Sequence, residues 1–303
     1  MKFFSDEQKG AFYVILSGLF YGLIGYFGIS IIRENFSAYN MLFWRFLVAS
    51  GVMLIFGFWQ MRGRFFHKNF SEIKKIFFYS AIFHGSSSIL YFLASAKIGT
   101  GLSMVLFFIY PLVVVMLNVI FYNTKVSASY FVAITAILFG IILLANPQSF
   151  SSNFLGVMLG SLAAICFGFY VFSVQKTTLP PLALAFIVSF GCCVISGISA
   201  LIDGSLYIPQ QPALYVDILS MGIICTALPI LLFLQGLKYI DSNKASLLGV
   251  SEPLAVLFFG WLLLAEEIAF IQLIGSAVIL IGAAIALMEK GKKQAKNLIK
   301  EVM

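Results

Sequence analysis

Glu252-Pro253 lies within an otherwise apolar run from Ala245 to Ala265 and joins a carboxylate to a residue with no backbone donor. A carboxylate in such a setting can hold a proton, pair with a cation or accept hydrogen bonds. The proline frees a carbonyl about one turn earlier. At about 1.5 Å per residue the run is long enough to cross a bilayer. Facing lipid at its centre, the acid would cost roughly 2.5 kcal/mol or more, so it is expected to face a polar cavity inside a helical bundle.

Two further ionisable side chains fall inside apolar runs, His84 and Arg45. His84 and Glu252 each sit seven or eight residues into a run, about 12 Å deep by helical rise. If their runs are neighbours, the two can share a proton or a hydrogen bond. The plainer readings are a structural histidine, and a carboxylate bonded to a hydroxyl or a free backbone group on the next helix. Arg45 reads as a side chain that snorkels to the interface or caps carbonyls near Arg33 to Tyr39. Pairing with a solute carboxylate is its alternative.

Around these charges His84, Ser87, Ser88, Tyr91 and Ser95 recur at spacings of three and four, one face of a helix. Ser103, Phe107 and Tyr110 share a face of the next run, Tyr170 and Ser173 a face of a later one, and Thr226 and Phe233 flank Pro229. Aromatic rings with hydroxyls suit a small amphipathic or cationic solute. Phe and Tyr are so numerous (33 and 13) that any one of them also fits core or lipid. Pro111, Pro229 and Pro253 lie within runs and read as hinges or as static bends. There is no P-loop, no H-E-x-x-H, no nucleophile elbow and no metal-ligand cluster, and Cys166, Cys192, Cys193 and Cys225 all lie in apolar runs. No cofactor, metal or catalytic constellation is expected.

The elements that hold these residues are apolar runs. With 61% hydrophobic and 10% charged residues and a mean hydropathy of +1.02, the chain reads as a polytopic membrane protein. Ten runs can be drawn: Ala11 to Ile32, Asn40 to Trp59, Ile76 to Ala96, Gly101 to Tyr122, Ala128 to Ala145, Phe154 to Val174, Leu182 to Ile202, Leu214 to Leu237, Ala245 to Ala265 and Ile268 to Met288. With the N-terminus in the cytoplasm, that count puts every Lys and Arg inside except Arg33, Lys97 and the mid-run Arg45, a strong positive-inside asymmetry. The pI near 9.2 thus follows from topology and does not indicate nucleic-acid binding. The Lys290 to Lys300 tail is placed to touch anionic lipid.

The chain also repeats itself. Tyr110-Pro111-Leu112 and Glu252-Pro253-Leu254 are 142 residues apart, as are Gly140 and Gly282, and Phe20-Tyr21-Gly22 is echoed by Cys166-Phe167-Gly168. Gly18, Gly22 and Gly25, with Gly28 beyond, give the first run a bare packing face. Two halves of five helices each must be inverted relative to one another, because an odd count reverses the direction of equivalent helices.

Trp44-Arg45-Phe46, Lys244-Ala245-Ser246-Leu247-Leu248 leading into Glu252-Pro253-Leu254, and Glu266 beyond it, taken with the helix count, resemble the EamA branch of the drug/metabolite transporter superfamily. The resemblance covers nearly the whole chain. The first half departs from it, with Tyr110 in place of Glu252 and Thr124 in place of Glu266, so any carboxylate role rests on the second half. The resemblance implies a central cavity lined by runs one, three, four, six, eight and nine, which adds Tyr21 to the candidates.

The expectation is an all-α integral membrane protein of ten transmembrane helices in two inverted five-helix repeats. Residues 1–146 and 147–290 are the repeats and 291–303 a basic tail, with both termini cytoplasmic. The resemblance implies a secondary transporter of the cytoplasmic (inner) membrane for an amino acid, its derivative or an amphipathic cation, with efflux favoured and protons as a coupling partner, acting as a monomer or homodimer. The alternatives are an uptake or exchange carrier for a nucleotide-like or adenosyl metabolite, and a non-transporting membrane enzyme or subunit.

Overall fold

The computed structural model describes residues 5–24, 26–27, 36–61, 70–145, 153–265 and 267–302. The expectations for Gly25, Gly28, Arg33 and Glu266 lie outside them. Every regular element among the described residues is helical. In chain order they are α1 (Asp6–Tyr21), α2 (Ala38–Met61), α3 (Phe70–Tyr79), a π turn (Ser80–Gly85), α4 (Ser86–Phe107), α5 (Tyr110–Tyr122), α6 (Ala128–Leu144), α7 (Phe154–Val174) and α8 (Pro181–Ile202). They continue with α9 (Pro212–Gly222), a second π turn (Ile223–Ala227), α10 (Leu228–Gly236), α11 (Ser242–Leu248), α12 (Ser251–Leu264) and α13 (Phe270–Val302).

Among the described residues seven helical stretches, counted across their internal breaks, are long and apolar enough to cross a membrane. The difference from the ten expected runs has local causes. The described helix of the first run, α1, has 16 residues and α6 has 17. Runs three and four are joined in one 53-residue stretch, Phe70–Tyr122. Inside that stretch Gly99 leaves helical geometry at φ 81°, ψ 156°, a conformation nearly confined to glycine. Two helices therefore meet there.

Local chemistry sets the ends. Ser5 and Gln8 form a reciprocal capping box on α1, with Asp6 and Glu7 in its first turn, where the helix dipole favours acids. Asn153 and Asp241 cap α7 and α11 by accepting the Gly156 and Lys244 amides at 3.1 and 3.0 Å. Helices α5 and α12 each end on a left-handed residue, Asn123 (φ 50°) and Ala265 (φ 54°), the non-glycine residues with positive φ among those described.

Packing follows small residues, as expected where apolar burial alone does not drive helices together. Helix α1 lies against α10 and α12, α7 against α4 and α5, α2 against α8, and α6 against α13. A Cβ on Gly18 would come within 2.8 Å of the Glu252 amide nitrogen, and one on Gly22 within 2.8 Å of the Ala255 carbonyl carbon. Gly140 and Gly275 face each other between α6 and α13. At Gly18 and Gly22 the glycine face of the first run is thus a packing face. One core fills the middle of the bundle; a smaller apolar cluster, including Phe36, Met41, Leu214, Ile218 and Met221, lies against it.

Candidate functional site

The ninth run is not one continuous helix. Its helix breaks at Gly249-Val250 between α11 and α12, and the chain before Pro111 breaks in the same way at Phe108-Ile109. Pro111 is the second residue of α5, Pro229 the second of α10 and Pro253 the third of α12. Pro111 and Pro253 each occupy the first turn of a helix restarted after a break, where the missing N–H has no intrahelical partner to lose, whereas Pro229 follows the second π turn inside one continuous helical stretch, Leu214–Gly236.

The break leaves backbone groups that must be satisfied. The Gly249 amide donates to the Ala245 carbonyl at 3.1 Å, Glu252 N–H to the Gly249 carbonyl at 3.0 Å and Ser251 Oγ to the Leu248 carbonyl at 3.0 Å. The Ser246 carbonyl accepts the Tyr110 hydroxyl at 3.0 Å, so a side chain on α5 completes the break in the ninth run.

A narrow cavity opens beside these breaks. Its walls are Val14, Ser17, Gly18 and Tyr21 of α1, Phe107 and Tyr110, Phe167 and Tyr170 of α7, Ile230 and Phe233 of α10, Gly249, and Glu252 in the first turn of α12. Six of the expected residues meet there: Tyr21, Phe107, Tyr110, Tyr170, Phe233 and Glu252. Their rings interlock, with Tyr110 edge-on to Phe167 at 4.8 Å and Phe107 5.0 Å from Phe167. The enclosed space is about 30 Å³, room for a water but not for a metabolite. A larger depression of about 640 Å³ by Trp261, Leu262 and Glu267 is open to its surroundings and gathers no converging polar groups.

Glu252 is the one carboxylate on the cavity wall. Among the described residues it accepts no side-chain hydrogen bond and has no ion-pair partner; the ion pairs there are Lys9–Asp6 and Lys244–Glu7. Its position at the start of α12 places it where the helix dipole favours an anion.

Four expected residues lie elsewhere. His84, 4% exposed, stacks on Tyr170 at 4.3 Å and meets Phe167 and Phe46 edge-on, and its Nδ1 has no protein partner. No hydrogen bond joins His84 to Glu252; His84 packs on Phe167 and Tyr170, which themselves line the cavity. Arg45 does not snorkel. It is 5% exposed, its Nε donates to Thr226 Oγ1 at 2.8 Å, and its guanidinium lies over the Phe46 ring at 5.1 Å. A hydroxyl in the second π turn supplies this inward partner. Ser88 and Ser95 donate to carbonyls of their own helix (His84 and Tyr91), and Ser87 donates to the Ala163 carbonyl on α7. The serines of the polar stripe in run three are thus consumed by backbone, as hydroxyls in apolar helices often are. Tyr91 backs the wall, edge-on to Phe107 at 5.4 Å.

Sequence reasoning overlooked Val14, Ser17, Gly18, Phe167, Ile230 and Gly249. Two were within reach: Phe167 is the repeat counterpart of Tyr21, and Gly249 lies 142 residues after Phe107.

The model of the EamA-like transporter family matches residues 8–146 and again 154–288. The chain belongs to the EamA-like transporter family. Over 292 residues, 91% of this chain and 94% of the relative, it is 24% identical to a Salmonella typhimurium protein named as an uncharacterized inner membrane transporter, YicL. It is 36% identical over 73 residues, 24% of this chain, to the permease-like protein YdzE of Bacillus subtilis, covering 94% of that shorter protein. A protein of Archaeoglobus fulgidus named as an uncharacterized transporter is 38% identical over 71 residues, which are 23% of this chain and about a quarter (26%) of the relative's length. A solved crystal structure with 15% identity superposes with a TM-score of 0.77 over 91% of this chain and 96% of its own, a likeness of fold. The protein is therefore a multi-pass membrane protein of an EamA-like transporter family.

Proposed function

We propose that this EamA-family protein is a secondary transporter of the cytoplasmic membrane, formed by ten crossing helices in two inverted five-helix repeats with both termini in the cytoplasm. It moves a small organic metabolite by alternating access. The observation that carries the reading is Glu252, an unpartnered carboxylate in an aromatic-walled cavity where the broken helices of both halves meet.

Exchange of the halves supports the repeat. The π turns, the left-handed caps Asn123 and Ala265, and the breaks before Pro111 and Pro253 all recur at an offset of 142 residues, to within a residue for the π turns and the breaks. Helix α1 packs on α10 and α12 as α7 packs on α4 and α5. The family model also matches twice. Asymmetry enters at the site itself, where the first half contributes Tyr110 and the second Glu252.

One carboxylate among aromatic rings fits an ammonium group, carried by an amphipathic cation or by an amino acid derivative. Glu252 holds either that cation or a proton, and this exclusive occupancy couples outward movement of the solute to inward movement of a proton. Counterflow of labelled organic cations and amino acids into proteoliposomes tests the reading. Label should accumulate unchanged against preloaded cold solute, and Glu252→Gln should cut accumulation about tenfold or more, the loss of roughly 1.4 kcal/mol of ion pairing. Transport that is independent of pH, with Glu252→Gln fully active, rules out the carboxylate's role.

A further inference from the structure

At the basic end of the bundle three side chains close a ring. Asn118 Nδ2 donates to Ser242 Oγ at 2.9 Å, Ser242 Oγ donates to Gln175 Oε1, and Gln175 Nε2 donates to Asn118 Oδ1 at 2.9 Å. Asn118 also reaches Asn243 Oδ1 at 2.6 Å. The three come from α5, the end of α7 and the start of α11, and Asn118 and Ser242 are buried. Beside the ring, the fully buried Lys244 pairs with Glu7 of α1 and donates to the Leu287 carbonyl of α13 at 3.0 Å.

The ring lies directly beyond the cavity. Asn118 is two turns along α5 from Tyr110, and Ser242 is one turn along α11 from Ser246, whose carbonyl Tyr110 holds. The same positions in the other repeat cannot build it, since the counterpart of Asn118 is Gly260. Near Met41 and Ile218 the bundle is instead packed by the apolar cluster.

We propose that the Asn118–Ser242–Gln175 ring is the gate that shuts the cavity from the basic end, and that its three bonds must exchange for water when that end opens. Amides and hydroxyls suit a two-state seal. They are satisfied by one another when closed and by water when open, whereas apolar side chains are satisfied only when closed. Lys244, pinned between α1 and α13, holds its neighbours Ser242 and Asn243 in register with Asn118.

The inference rests on the transport reading, but its test does not need a solute. Ser17→Cys puts a reporter thiol on the cavity wall, and it is reacted with a membrane-impermeant cationic thiosulfonate. The reagent is applied in turn from each face of oriented vesicles, and the protein without the reporter gives the background of the four native cysteines. Asn118→Leu and the milder Ser242→Ala should each raise the rate from the basic face about tenfold, as expected when one or two net hydrogen bonds are removed from the closed state. The rate from the other face should be unchanged. Rates unaltered in Ser242→Ala, or raised equally from both faces, overturn the gate. Counterflow that fails while basic-face labelling rises leaves the gate standing and refutes transport of the solutes tried.

Discussion

At the scale of single residues, the buried side chains divide by what satisfies them. Arg45, Ser87, Ser88 and Ser95 find hydroxyls or carbonyls within the bundle, whereas among the described residues Glu252 accepts no side-chain hydrogen bond and His84 Nδ1 and Ser80 Oγ have no protein partner. Tyr110 does two things at once. Its ring walls the cavity and its hydroxyl satisfies the Ser246 carbonyl released by the break in the ninth run. Tyr110→Phe keeps the ring and orphans that carbonyl, so it should cost about 1–3 kcal/mol, measurable as a lowered unfolding midpoint in detergent. A variant of unchanged stability would show that water takes over the carbonyl. The single-residue contrast between Tyr110 and Glu252 is legible in the sequence as a repeat that agrees at proline and differs one residue before it. The partners of Arg45 are not, because Thr226 is 181 residues away and only packing brings it near.

At the scale of elements, the restarted helices explain why proline and polar residues collect where they do. A helix that begins anew at Tyr110 or Ser251 accepts proline in its first turn and leaves carbonyls and amides beside the cavity. The far ends of the same helices are matched left-handed caps, one Asn123 and the other Ala265. Alanine is poorly suited to that conformation, so Ala265→Gly should stabilise the protein by roughly 1 kcal/mol, seen as a raised melting temperature in detergent, whereas Asn123→Gly should change little. The apolar periodicity delimits the runs to within a few residues at most ends. It misses the breaks within them, since a helix interrupted by two residues keeps the same apolar composition.

At the scale of the whole molecule, the halves are interlaced. Helix α1 leaves its own half to pack on α10 and α12, and α7 does the same against α4 and α5. Neither half can then complete its core alone. Chains cut within residues 146–152 should copurify through a tag on one half when coexpressed, and either half alone should aggregate. A stable, monodisperse single half would refute interlacing.

The sequence by itself determines that the chain enters the membrane, how its apolar runs are ordered and that it carries an internal repeat, because these follow from composition and periodicity along the chain. It also singles out Glu252, since a carboxylate in an apolar run is conspicuous without knowledge of its neighbours. Only the tertiary structure decides that Tyr21, Phe107, Tyr110, Phe167, Tyr170 and Phe233 line one cavity with that carboxylate while His84 and Arg45 lie outside its wall. It alone decides, too, that Asn118, Gln175 and Ser242 close a ring. The reason is geometric: helical periodicity tells which face a residue shares, whereas which faces meet depends on crossings between segments more than a hundred residues apart.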